Sequence, residues 1–302
     1  MEEIIKVKHL KKHFKDIRAV DDISFQVKKG ELYGFLGING AGKSTTINIL
    51  CTLLDKTEGE VTICGYTLGK ENEAIRRKIG VVFQDNMLDG RLTIKENLLV
   101  RGSLYFKDSK IVQKNMEQVC EILGIGELLN RQFRKLSGGQ KRRCEIARAL
   151  IHTPEILFLD EPTTGLDPQT RQNVWECIEA LQRENDMTVF LTTHYMEEAG
   201  KASHISIMDI GKIVAAGAPH ELKAVHAHDI VKLYPKSADT VTGYLSNNGY
   251  NFTIKNNHIQ VDLKDTLAGI GILKELEGVI NGCEILQGTM DDVFLNITGR
   301  KL

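Results

Sequence analysis

The pattern of apolar and polar positions changes character twice along the chain. "ISFQV" (23–27) alternates as a half-buried strand does. "LYGFL" (32–36), "EILFLDE" (155–161) and "MTVFLTT" (187–193) are unbroken apolar runs of strand length, each beside a stretch of helical periodicity. Strands apolar on both sides belong in a mainly parallel sheet with both faces covered, which predicts an α/β fold over residues 1–224. Between about 91 and 150 helical periodicity dominates without a strong strand. That predicts a helical subdomain inserted into the α/β unit.

From 225 to 302 the elements shorten. "DIVKLYP" reads as a strand, "SADTVTGYLSNN" as a helix, and "YNFTIK" and "HIQVDL" as two strands across an Asn-Asn turn. "KDTLAGIGILKELE" then reads as a helix and "VINGCEILQG" as a strand. This order is that of a split βαβ arrangement, so a small C-terminal α+β domain is expected. The closing helix, "MDDVFLNIT", puts Val293, Phe294 and Ile297 on one side. That side suits packing on its own domain or on a dimer partner.

Composition narrows the function classes. The 302 residues are 42% apolar and 26% charged with a net charge of −1, which fits a soluble globular chain of about two domains. A near-neutral chain is not built mainly to bind nucleic acid or an anionic membrane surface. No run of about 18 apolar residues is present to cross a membrane, and the first residues lack a signal-peptide core. A cytoplasmic protein is expected. The six cysteines, at 51, 64, 120, 144, 177 and 283, have no metal-ligand or CxxC spacing and are expected as reduced thiols.

The first chemical motif is "GINGAGKS" (37–44), between the strand "LYGFL" and a helix. It fits the phosphate-binding loop G-x-x-x-x-G-K-[ST] in the context that motif requires. Gly37, Asn39, Gly40, Ala41 and Gly42 would cradle phosphate with backbone amides, Lys43 would reach the β- and γ-phosphates, and Ser44, with Thr45 behind it, would ligate Mg²⁺. Asp160 and Glu161 end the buried run "ILFLDE". Asp160 is placed to hold Mg²⁺ and Glu161 to polarise a water against the γ-phosphate. Two carboxylates beside a phosphate imply the metal.

A second anion site lies in "KLSGGQKRRCEIARAL" (135–150). Ser137 can cap a helix whose first amides the two glycines leave bare. The Lys141-Arg142-Arg143 run that follows reads mostly as a solvated face.

As an ordered set, these motifs resemble the ATP-binding subunit of ABC transporters. "LSGGQ" (Leu136, Ser137, Gly138, Gly139, Gln140) is similar to that family's signature. "VVFQD" puts Gln84 at its Q-loop, "TTGLD" puts Asp167 in its D-loop, and "LTTH" puts His194 at its switch position. Phe14 stands where the family stacks an aromatic ring on adenine. Ile38 and Ser203-His204 depart from the residues commonest in the family at those positions. The resemblance covers about 1–225 and implies a P-loop ATPase that closes head to tail as a homodimer or heterodimer. Each ATP on a P-loop would then be capped by the signature of the opposing subunit. It further implies Glu161 as general base, His194 as γ-phosphate sensor, Gln84 at the metal and water, and Asp167 as a link across the dimer. A permease must be a separate chain, placing this one peripherally on the cytoplasmic face of the membrane. "GAPHELK" (217–223) and "GTMDDVFLNITGR" (288–300) are similar to the ATPases of ABC-2-type exporters, the group including daunorubicin-resistance ATPases. Multidrug-type export through an ABC-2 permease is therefore expected. A soluble ABC clamp on a ribosome or DNA is the alternative, although the gap from Gln84 to Ser137 is too short for a long coiled coil. A small-molecule kinase would leave LSGGQ and His194 unexplained.

Overall fold

The computed structural model describes residues 2–184 and 186–299. The chain divides after Ala216 into two compact units. In the first, strands β1 (Glu3–Phe14) and β2 (Ile17–Lys28) form a long antiparallel hairpin. Strand β3 (Leu32–Leu36) follows, then helix α1 (Lys43–Leu50), β4 (Glu58–Ile63), β5 (Tyr66–Thr67), α2 (Asn72–Lys78) and β6 (Ile79–Val82). Helices α3 (Ile94–Ser103), α4 (Ser109–Ile122) and α5 (Gly138–Leu150) occupy the stretch expected to be helical. The unit is completed by β7 (Ile156–Asp160), α6 (Pro168–Glu184), β8 (Thr188–Thr193), α7 (Met196–Ala199), β9 (His204–Asp209) and β10 (Lys212–Gly217), whose last residue falls across the division.

Two sheets result. One has the order β2-β1-β4-β5 with antiparallel pairing; the other has the order β10-β9-β3-β8-β7-β6. In the second, β9, β3, β8, β7 and β6 run parallel. Its central strands β3, β7 and β8 are buried at every position, which is why they read as unbroken apolar runs. Phe25 of β2 packs on Phe35 and Phe190, whose rings lie 5.4 and 6.0 Å from it between centroids, joining the two sheets in one core.

The parallel sheet fixes the site. Loops leaving the carboxyl ends of adjacent parallel strands converge on one edge, where open α/β sheets bind ligands. Here the neighbours β3, β8, β7 and β6 release the 37–42 loop, His194, Glu161 and Gln84 respectively.

His152, just past α5, belongs to the core. Its Nε2 sits 3.0 Å from the Ile79 carbonyl oxygen and its ring stacks on Tyr105 at 4.0 Å. Burial is the main cause that pushes its pKa from 6.5 down to about 4. The folded chain therefore holds it neutral while the unfolded chain protonates it. Stability falls as pH drops from about 6.5 towards 4, by on the order of 3 kcal/mol from this group. The thermal midpoint of wild type should drop more between about pH 7 and about pH 5 than that of His152→Gln, and equal drops would refute the assignment.

The second unit opens with α8 (Pro219–His226) and continues through β11 (Asp229–Pro235), α9 (Ala238–Asn247), β12 (Phe252–Ile254), β13 (Ile259–Leu263), α10 (Thr266–Glu275), β14 (Ile280–Leu286) and α11 (Met290–Thr298). Its antiparallel sheet has the order β12-β13-β11-β14. Val231, Leu233, Val261 and Leu263 form its core with Val241, Leu245 and Ile272 of α9 and α10. Val293 and Phe294 are fully buried, and α11 packs on α8 within its own unit. Because α8 is held there, the unit starts at 217, ahead of the expected 225. Arg300, the end of the tail motif, lies outside the described residues.

Candidate functional site

The 37–42 loop leaves β3 and enters α1 at Gly42, which adopts φ 106°. A Cβ there would sit 2.3 Å from the Ala19 carbonyl oxygen, so glycine is required twice over. Gly42 offers no side-chain cap, and the first-turn amides of Lys43, Ser44 and Thr45 have no intrahelical acceptor. A helix terminus with open amides of this kind can accept an anion. Asn39, Gly40, Gly42, Lys43, Ser44 and Thr45 line a cavity of about 590 Å³ together with Gln84, Glu161 and His194. Ala41 is buried behind the loop, and at Gly37 a Cβ would meet the Met208 carbonyl oxygen at 2.4 Å.

Lys43 is 4% exposed and donates to the carbonyls of Gly37 (2.7 Å) and Ile38 (3.2 Å). Burial lowers its pKa, and Glu161, 3.6 Å away, opposes the shift. Glu161 has φ 45°, a strained value for a residue with a side chain. Its amide donates to Thr192 and its carboxylate accepts from Thr164 at 3.2 Å. His194 Nδ1 is 3.4 Å from the same carboxylate, within charge contact but without hydrogen-bond geometry. The base candidate thus sits between two potential cations at the cavity wall. Below it, Asp160 accepts from Thr192 at 2.5 Å and faces the Ser44 hydroxyl at 3.4 Å. A carboxylate and a hydroxyl beside a phosphate loop are hard oxygen donors of the kind Mg²⁺ takes.

The remaining expected residues lie elsewhere. None of Ser137, Gly138, Gly139 and Gln140 lines this cavity. Ser137 caps α5 by accepting the Gln140 amide, while the Gln140 side chain returns to the Ser137 amide. This capping box explains the glutamine and leaves the Gly138 and Gly139 amides open. A Cβ on Gly139 would lie 2.3 Å from Thr170 Cγ2, so the glycine seats the turn on α6. Asp167 caps α6 by accepting the Thr170 amide at 3.0 Å, and bonds to Thr170 hold its carboxyl below its usual pKa. Phe14 is 43% exposed with the Lys12 ammonium over its ring, and the cavity edge is lined instead by Ile17, Arg18 and Ala19.

Two features escaped sequence reasoning. Thr164, Ile210 and Gly211 also line the cavity. Arg142, expected on a solvated face, is 7% exposed and bonded to three backbone carbonyls. No spacing signal marks it, because its partners come from two distant segments.

The chain is similar to known proteins along most of its length. The ABC transporter family profile matches residues 20–164. The chain is 34% identical over 303 residues to the Nod factor export ATP-binding protein I of Cupriavidus pinatubonensis, covering 99% of this chain and 92% of that one. It is 34% identical over 305 residues to the daunorubicin/doxorubicin resistance ATP-binding protein DrrA of Streptomyces peucetius, covering 98% and 92%. A solved ATP-binding cassette, a dimer in a post-hydrolysis state bound to ADP and Pi, superposes with TM-score 0.64 at 30% identity, covering 71% of this chain and 98% of that one.

Proposed function

The chain belongs to the ABC transporter family of ATPases, and from that membership we propose that it is the ATP-hydrolysing subunit of an exporter, driving a separate ABC-2-type permease. The observation that carries the mechanism is how the two anion sites are arranged: of the signature, Gly138 lines a smaller neighbouring cleft with Gln84, Glu161 and Thr164, and no phosphate-loop residue lines that cleft. The signature turn presents open amides, yet lines no part of the cavity formed by its own phosphate loop. A head-to-tail dimer, as homodimer or heterodimer with a second ABC ATPase, brings each signature to the other subunit's loop. The similarity to a dimeric cassette supports that reading.

Roles follow from position. The loop amides and Lys43 hold the phosphates of ATP, and the base rests near the Ile17–Ala19 edge, with Phe14 opposite Ile17 across the hairpin. Ser44, Asp160 and Gln84 would hold Mg²⁺, which would offset the charge gathered on the phosphates. Glu161 orients and deprotonates the attacking water. His194 contacts the γ-phosphate, and Asp167 holds α6 beside the signature turn that meets the partner subunit.

Export and location rest on the relatives. Two that span the chain's length are named for Nod factor export and drug resistance. From those relatives the pathway is assigned to a separate permease and this chain to the cytoplasmic face of the membrane; among the described residues no helix is long and apolar enough to cross a membrane. A groove of about 270 Å³ beside the Gln84 segment, lined by Leu53, Phe83, Arg101 and Tyr105, suits an inserted permease segment. Affinity purification from detergent-solubilised membranes tests this. Recovery of a multispan permease in stoichiometric amount is expected. A protein found only in the soluble fraction, bound to ribosomes or DNA, would replace the exporter with a soluble clamp.

A further inference from the structure

Three charged side chains of α5 point inward from the signature turn: Arg142 at 7%, Glu145 at 0% and Arg148 at 7% exposure. Arg142 donates from all three of its nitrogens. Nε reaches the Pro162 carbonyl at 2.6 Å, Nη1 that of Phe83 at 2.5 Å, and Nη2 that of Asp160 at 3.1 Å. Phe83 immediately precedes Gln84, and Asp160 and Pro162 flank Glu161. Strands β6 and β7 stop pairing at Val82 and Leu159, so the carbonyls beyond need another donor. The guanidinium supplies it to both segments at once.

Glu145, one turn further, anchors the far side of the Gln84 segment. Its carboxylate accepts the amides of Met87 (2.6 Å) and Leu88 (2.8 Å), and also Arg148 Nε (2.8 Å). Arg148 in turn reaches the Val81 carbonyl at 2.7 Å. Gln84, Asp85 and Asn86 are left exposed between these anchors. One helix therefore grips the Gln84 segment on both sides and brackets Glu161.

We propose that Arg142 is a positioning residue for ATP hydrolysis, fixing the backbones that carry Gln84 and Glu161 from the helix that bears the signature. Glu161 needs such support, because its left-handed backbone persists only where the surroundings hold it. A planar fork with fixed donor directions spans three carbonyls, which a flexible ammonium does not. Any shift of the first turns of α5 displaces Gln84 and Glu161 together. Engagement of a signature by the partner's nucleotide is thereby felt at the base of the same chain. This inference rests on Glu161 being the base.

The test uses the full chain and compares R142Q, R142K, E161Q and the R142Q/E161Q double variant in ATP binding, steady-state kinetics and thermal unfolding. R142Q should lose about tenfold or more in kcat, with ATP affinity and KM held within about threefold. R142K should recover part of the loss. In the double variant R142Q should cost nothing beyond E161Q, because its effect passes through the base. Normal kcat in R142Q overturns the proposal, as does an additive loss in the double variant, or parallel loss of affinity, kcat and thermal midpoint. If R142Q does not fold, R142K carries the test, and full kcat in R142K overturns it. Normal turnover by E161Q would instead refute the base assignment, whatever R142Q does.

Discussion

Glu161→Gln should lower the turnover of ATP by about 10²–10⁴-fold, the usual worth of a positioned general base, while ATP still binds. Gln keeps the size of the side chain and its acceptor for the Thr164 hydroxyl, so the wall of the cavity is preserved. What it loses is the charge that lies 3.6 Å from Lys43 and 3.4 Å from His194. Lys43 keeps the Gly37 and Ile38 carbonyls as acceptors and stays in the loop. The phosphate contacts are therefore spared and the chemical step is not. With hydrolysis blocked, a dimer held by ATP should accumulate, visible by size-exclusion chromatography with ATP and absent without it. Turnover near the wild-type value would remove Glu161 from the role of base. Weak ATP binding with low turnover would mean that the carboxylate serves mainly to order Lys43.

The parts of the site that could be read from sequence are those in which one short segment makes its own chemistry. The 37–44 loop carries its glycines, its lysine and its hydroxyl within eight positions, and the strand-then-helix context is local too. The buried parallel strands showed as apolar runs because both of their faces are covered. Strand β1 did not, because it is bulged. His9 takes φ 50° and donates its amide to the Ser24 hydroxyl, which resets the alternation. Ile5 and Val7 are buried two apart, and the next buried residue, Leu10, comes three later. Periodicity alone does not survive that break. Arg142 was illegible for a different reason. Its acceptors lie 18, 20 and 59 positions away, so only the fold shows that a basic residue in a basic run is buried. Gln140 was half legible: the Ser-x-x-Gln spacing of a capping box is visible in "SGGQ", and it gives the glutamine a role inside its own chain.

Mixing two inactive variants should restore ATP hydrolysis, provided that the sites are composite. Lys43→Ala removes the only side-chain cation that bonds to the carbonyls of its own phosphate loop among the described residues, and the Lys43→Ala homodimer should turn over negligibly. Ser137→Arg removes the cap of α5 and puts a bulky cation on the exposed signature turn, which should stop the homodimer from closing. Each homodimer carries its defect in both sites. A head-to-tail heterodimer of the two has one site with both defects and one with neither. Random pairing of equal amounts makes half of the dimers mixed, so about a quarter of the wild-type site number is restored if the sites work independently. Coupled sites would give less, but still more than either variant alone. A cis arrangement, with each signature serving its own loop, predicts no recovery at any mixing ratio. The geometry sets the expectation against the cis case, since Ser137 and Gly139 line no part of the cavity that holds Lys43. The measurement is the phosphate release rate across mixing ratios: a maximum near equal amounts supports the composite dimer, and a flat baseline refutes it.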